Sequence, residues 1–233
     1  MKLYHMLIFF IVSAQLQAAA LPEKSSKETK IKKEKEEMLV AAYSQYQLAM
    51  LHKDPEKILN AFASMDSALR QGASPDGFLE NEFGNYPLLI WAILQDDLAV
   101  VRLLIEYNVD ANDQYEALGL ETPLMGAIRM NPSKKNYKEI IKTLIKYLAK
   151  RKENLNLQDE WGRTAFWHAA ENKQPDVMKW LFEAGAEPSY KPYDFYLEKH
   201  PDTITPDMRD LIAQYIKEQK MAEGDPEALG LYD

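Results

Sequence analysis

The chain has no cysteine among its 233 residues. Disulfide frameworks, thiolate metal sites and cysteine nucleophiles are excluded by that absence alone. Histidine is scarce: the four stand at positions 5, 52, 168 and 200, with no pair at the short spacing of zinc ligands. Positive charge is in deficit, 28 Lys and Arg against 36 Asp and Glu, for a net charge of −8 and a pI near 5.2. That balance speaks against a duplex nucleic-acid binder, whose affinity needs a basic face to neutralise phosphates. No Gly-rich phosphate loop occurs, and nothing in the sequence implies a cofactor or a metal. Runs of alternating apolar and polar residues, the mark of half-buried strands, are missing as well. What remains is ordinary for a globular chain, 46% hydrophobic and 27% charged.

The longest apolar stretch, Leu3 to Val12, is well short of the ~20 residues of a membrane span. With Lys2 before it and Ala18-Ala19-Ala20 after it, the pattern fits a secretory signal peptide over 1–20, cleaved after Ala20. An uncleaved membrane anchor is the alternative. Export to a periplasmic or secreted location suits a chain that cannot be trapped in wrong disulfides. Glu23 to Glu37 then holds six Lys and five Glu with Ile31 as its one bulky apolar residue. Such a segment cannot bury a core face. It reads as a tether passing into helix near Met38, or as a solvated helix with i,i+4 pairs.

From Met38 the apolar residues recur at helical spacing, interrupted by Gly, Asn, Asp and Pro clusters about every fifteen residues. The fold class expected is all-α, with helices in pairs. The pairs are alike, as in stacked-repeat architectures. Asp159, Gly162, Thr164, Ala169, Ala170, Val177, Leu181, Gly185 and Ala186 resemble the ankyrin repeat in its opening Asp, turn Gly, Thr, paired Ala, second-helix apolars and Gly-Ala. Ala165, Phe166 and Trp167 replace the family's Pro, Leu and His, and a histidine, His168, stands one place later. Val100, Val101, Leu103 and Leu104, then Val109 to Asn112, resemble the close of another repeat, with Tyr86 to Leu89 at its front. Thr122-Pro123-Leu124-Met125 opens a third, and Ile140 to Ile145 supplies its second helix. From Thr122 to Thr164 exceeds the period of about 33 residues. The surplus falls around Asn131 to Tyr137 and Lys150 to Lys152, read as loop extensions.

The resemblance implies an ankyrin-type helix-pair solenoid: three repeats between irregular N- and C-terminal capping helices. Ala68 to Asp76 closes a degenerate first repeat with helices over about 38–52 and 55–70, and Thr205 to Lys220 is an amphipathic cap. The organisation expected is a signal peptide at 1–20, a Lys/Glu-rich linker or solvated helix at 21–37, an ankyrin-repeat domain with caps at 38–221 and a loose tail at 222–233. Thr164 is expected to cap the helix after it, and Gly72 and Gly185 to end helices in the left-handed conformation.

A fold of this kind carries no chemistry of its own. The resemblance implies a concave binding face made by the loop tips before each first helix. The tips here are Glu82, Phe83 and Asn85; Tyr115, Glu116 and Leu118; and Glu160, Trp161 and Arg163. Exposed aromatics and Arg make interface hot spots, so Phe83, Asn85, Tyr115, Trp161 and Arg163 are the candidate contact residues. His168 with Glu171 and Asp176 could be drawn as a base with carboxylates, but no nucleophile accompanies them; His168 is read as structural. Asp96-Asp97 and Asp110 to Asp113 lack the Gly and Glu of a calcium loop and are read as solvated turn residues. Of the four tryptophans, Trp91, Trp167 and Trp180 fall at apolar helix positions.

The function expected is that of an exported, non-catalytic, monomeric protein that binds another protein as effector, inhibitor or scaffold. It has no nucleic-acid partner and no membrane span after signal cleavage. The alternative is an envelope enzyme or small-ligand binder with its site in the irregular inserts, near Lys134 to Tyr137 and Tyr190 to Tyr196.

Overall fold

The computed structural model describes residues 26–81, 84–130, 132–151, 153–188 and 205–224. The expected signal peptide, Phe83, the insert at 190–196 and most of the tail lie outside these residues. The described residues fall into two compact units, one of those up to 92 with 99–110 and one of 93–98 with those from 111 on. Nine α-helices and a short β-hairpin are described.

The first unit opens with α1, Ser26–His52, followed by α2, Pro55–Arg70. Helix begins well before Met38, so the described part of the Lys/Glu segment, from Ser26, takes the solvated-helix form of the two readings. Its charges sit at helical spacing, with Lys32–Glu36 and Lys33–Glu37 each 3.9 Å apart. Exposed pairs of this kind contribute at most about 0.5 kcal/mol each. The helix is held by its second half, where Leu39, Ala42, Tyr43, Tyr46 and Ala49 form one buried stripe against Ala61, Met65, Ala68 and Leu69 of α2. The α2 boundaries are those the sequence pattern gives. Asp54 caps its start, accepting from the Lys57 amide at 3.1 Å, and Gly72 follows its end with φ +92°.

Between α2 and the next helix lies an antiparallel hairpin, β1 (Phe78–Asn81) and β2 (Gly84–Pro87), with Phe78 opposite Pro87 and Glu80 opposite Asn85. Sequence pattern misses it because four-residue strands are too short to show alternation. The helices α3, Leu88–Leu94, and α4, Leu98–Glu106, follow.

The second unit contains α5 (Pro123–Arg129), α6 (Tyr137–Arg151), α7 (Ala165–Glu171), α8 (Pro175–Glu183) and α9 (Pro206–Ala222). Here α5 packs on α6 and α7, and α8 on α6 and α7. Each short first helix is started by a threonine: Thr122 accepts from the Met125 amide at 3.3 Å and Thr164 from the Trp167 amide at 3.2 Å. Replacing Thr164 by alanine should lower the stability of this unit by about 1 kcal/mol, read as a shift in the urea midpoint at constant slope. Ala169 and Ala170 are fully buried, as close helix approach requires. Gly185 takes φ +91° after α8.

The surplus between Thr122 and Thr164 is only partly loop. The α5–α6 link is extended as expected, but Lys150 and Arg151 belong to α6, which runs for 15 residues where α4 and α8 have nine each. At the far end, Ile212 and Tyr215 of α9 are buried. Tyr215 stacks on Phe182 at 4.6 Å and meets Phe166 edge-on at 6.1 Å, so α9 covers the last pair as a cap.

Candidate functional site

Within the second unit the loops before α5 and α7 are stitched side by side. The Glu160 amide donates to the Gly119 carbonyl at 2.9 Å, and the Gln114 side chain donates to the Leu120 and Gln158 carbonyls at 2.7 Å each. Gly119 has φ +69°, and a Cβ there would stand 2.6 Å from Glu160 Oε1 and 3.0 Å from the Trp161 ring. Only glycine lets the two loops approach this closely.

Beneath them sits a cluster of ions. Asp159, 4% exposed, accepts from four groups: the Trp161 and Arg163 amides at 3.0 and 2.8 Å, Arg163 Nε at 2.7 Å and His168 Nε2 at 3.0 Å. Because an ionised carboxylate only accepts, the His168 nitrogen facing it carries the proton. Burial pushes the Asp159 pKa up, but the bonds from His168 and Arg163 outweigh it, and the carboxyl titrates below its ordinary value. Glu121, 2% exposed, binds Arg129 at 2.7 and 3.1 Å and lies 4.0 Å from Arg163. Glu171, at 3.6 Å from Arg163, completes the set.

One face of this cluster reaches solvent. The Arg163 guanidinium lies 4.6 Å from the centre of the Trp161 ring, and Trp161 is 57% exposed. The neighbouring loop carries half-buried Tyr115, bridged to Glu121 in a short antiparallel pairing, and exposed Leu120. The structure therefore joins three of the sequence candidates, Tyr115, Trp161 and Arg163, in one loop pair. Asn85 belongs to β2 of the other unit, opposite Glu80. Glu121, Arg129 and Leu120 escape sequence reasoning: Glu121 stands there only before the Thr122-Pro123 that opens a repeat, and its burial depends on a pairing across the loop.

Ligand atoms of Glu121, Asp159 and His168 come within 4.8 Å of one another, a spacing a metal could use. Their carboxylate oxygens are already engaged by Arg129 and Arg163, whose guanidinium groups supply the positive charge a cation would bring. In this structure the three residues belong to an internal ion network. It also corrects the alternative partners drawn for His168: Glu171 pairs with Arg163, and Asp176 with Lys138 at 2.8 Å. His168 is fully buried. The insert at Lys134 to Tyr137 is structural too. Asn136 donates to the Asp96 carboxylate and carbonyl at 3.0 and 2.7 Å, Lys134 binds the Leu94 carbonyl, and Tyr137 donates to the Ile128 carbonyl at 2.8 Å. Burial raises the Tyr137 phenol pKa to about 12. Asp96 is thus a clamp for that loop, where the sequence suggested a solvated turn.

Residues 89–192 match the family model of ankyrin repeats, three copies. That stretch is similar to ankyrin repeats, and the fold class is the all-α, ankyrin-type helix-pair solenoid. A solved ankyrin repeat domain from Acinetobacter baumannii AYE is 28% identical, with 62% of this chain and 63% of that chain covered and a TM-score of 0.46. This chain thus spans somewhat under two thirds of that domain. No curated protein matches the sequence. Among the described residues, no helix is long and apolar enough to cross a membrane.

Proposed function

We propose that the protein is an exported, non-catalytic binder of another polypeptide, gripping it with the loop pair that carries Tyr115, Leu120, Trp161 and Arg163. Ankyrin repeats generally mediate protein–protein interaction, and the observation that carries the reading here is the setting of Trp161. A large ring stands mostly in solvent, yet its loop is fixed by the Asp159 carboxylate and its inner face rests on Arg163. A preformed aromatic anchor of this kind loses little entropy on binding. Asn85, on β2 of the first unit, is a second candidate contact, together with Phe83, which lies outside the described residues. The engagement of His168 by Asp159 in the interior supports the non-catalytic reading, and the N-terminal charge and apolar pattern supports export.

The test is crosslinking of the mature chain in its own compartment, followed by measurement of affinity for the recovered partner. Trp161→Ala should weaken binding by about thirtyfold or more, a hot-spot loss of ~2 kcal/mol, while its thermal transition stays near that of the wild type. Partner capture that survives Trp161→Ala combined with Tyr115→Ala would refute the loop-pair site. Recovery of the precursor with residues 1–20 attached would refute cleavage after Ala20.

A further inference from the structure

The charge of this acidic chain is unevenly placed. Between residues 134 and 152, eight basic residues stand with one acid, Glu139, a local +7 that leaves −15 for the rest. Lys138, Lys142, Lys146 and Lys150 recur every fourth residue on α6 and are all exposed. They form one row about 18 Å long, at 1.5 Å of rise per residue. The N-terminal half of the row is partly neutralised: Lys138 pairs with Asp176 at 2.8 Å, while Lys142 lies 3.6 Å from Glu139 and 4.5 Å above the Trp180 ring of α8. Lys146 and Lys150 form no ion pair with any described residue.

Helix electrostatics explain part of this. A cation in the last turn meets the negative end of the helix dipole, which accounts for Lys150 and Arg151 but not for the row. The related second helices differ here: aligned on Val100-Val101, Ile140-Ile141 and Val177-Met178, α4 and α8 end at Glu106 and Glu183, where α6 has Lys146 and continues for another turn.

We propose that the α6 row is a docking surface for a short acidic segment of another polypeptide, whose carboxylates meet Lys142, Lys146 and Lys150. The size of the partner follows from the charge. At physiological salt a charge is felt over about 8 Å, so a segment lying along α6 senses this local positive excess, less the Asp176 and Glu153 charges that pair with Lys138 and Arg151. An extended polyanion, a lipid surface or a nucleic-acid duplex, also meets the −15 of the remaining chain and is repelled. The row holds lysines, point charges on flexible stems, which suit carboxylates without the bidentate geometry that arginine brings to phosphate.

The experiment titrates the full mature chain into labelled oligoglutamate of about six to ten residues, long enough for the row at ~3.3 Å per residue, with fluorescence anisotropy at low and physiological salt. Wild type should bind at low salt, and Lys146→Glu with Lys150→Glu should weaken binding about tenfold or more. Lys217→Glu with Lys220→Glu on α9 should change it less than twofold. The milder Lys146→Gln with Lys150→Gln keeps the test valid should charge reversal unfold the helix, which circular dichroism reports. No oligoglutamate binding at low salt, or binding equal in the α6 and α9 variants, overturns the proposal. So does tighter binding to phosphatidylserine vesicles or duplex DNA that the α6 variants abolish.

Discussion

Replacing Asp159 by alanine is expected to destabilise the second unit by about 3–5 kcal/mol, the usual result of removing one partner from a buried charge pair. The substitution strands His168 Nε2 and Arg163 Nε, and it deletes the acceptor that fixes the Trp161 and Arg163 amides. A loss of that size is a large fraction of the stability of a typical domain. The fluorescence of Trp161, Trp167 and Trp180, all in the second unit, follows it in urea. The pH dependence carries a separate signature. Because the Asp159 pKa is lowered by folding, its contribution is complete above the unfolded value of about 3.9 and disappears as the pH falls through the folded value. The wild-type transition should therefore be unaffected by Asp159 between neutrality and about pH 5 and should weaken below about pH 4. The alanine variant should lose this acid-dependent component, and equal acid slopes in the two proteins would show that Asp159 is not ionised in the fold.

Trp167→Ala is expected to cost a similar ~3–5 kcal/mol for a different reason. Trp167 is 2% exposed, on the first helix of the last repeat, and truncation leaves a large cavity that the surrounding helices fill only in part. No charge is stranded, so the loss should be the same at pH 7 and in acid down to about pH 5, and the acid weakening attributable to Asp159 should persist. Trp167→Phe, which keeps most of the ring volume, should lose markedly less. A Trp167→Ala variant with a wild-type urea midpoint would mean that the site collapses without loss of contacts. The two substitutions separate the two supports of this unit, an ion network set by geometry and a core set by volume.

Both supports bear on the repeat motif. The resemblance puts a histidine where Trp167 stands, and the chain fills that place with apolar bulk while His168, one residue on, turns to Asp159. Motif reading finds both residues but cannot join them. Nine residues apart, they meet only because the turn around Gly162, with φ +76°, brings the chain back so that Asp159 faces α7. Glu121 is farther away, and nothing in its neighbourhood marks it as buried. The hairpin at Phe78 to Pro87 was hidden for a simpler reason, the shortness of its strands. Helix limits, by contrast, are legible in α2, where an apolar stripe starts at Pro55 and a left-handed glycine, Gly72, follows its end. Of the two readings of the Lys/Glu segment, the solvated helix holds from Ser26 on, because a helix continuous with a packed segment needs no buried face of its own.

The sequence by itself determined the helix pairs, the stacking alanines, the threonine starts, the glycine ends and the separation of a basic α6 from an acidic remainder, because each depends on residues a few positions apart. Tertiary structure alone decided which aromatic is an exposed anchor and which is core. Trp161 and Trp167 differ by six positions in the chain, yet one stands in solvent over Arg163 and the other is sealed inside. Burial is a property of what packs against a residue, and for these two that is decided by loops and helices brought together from distant parts of the chain.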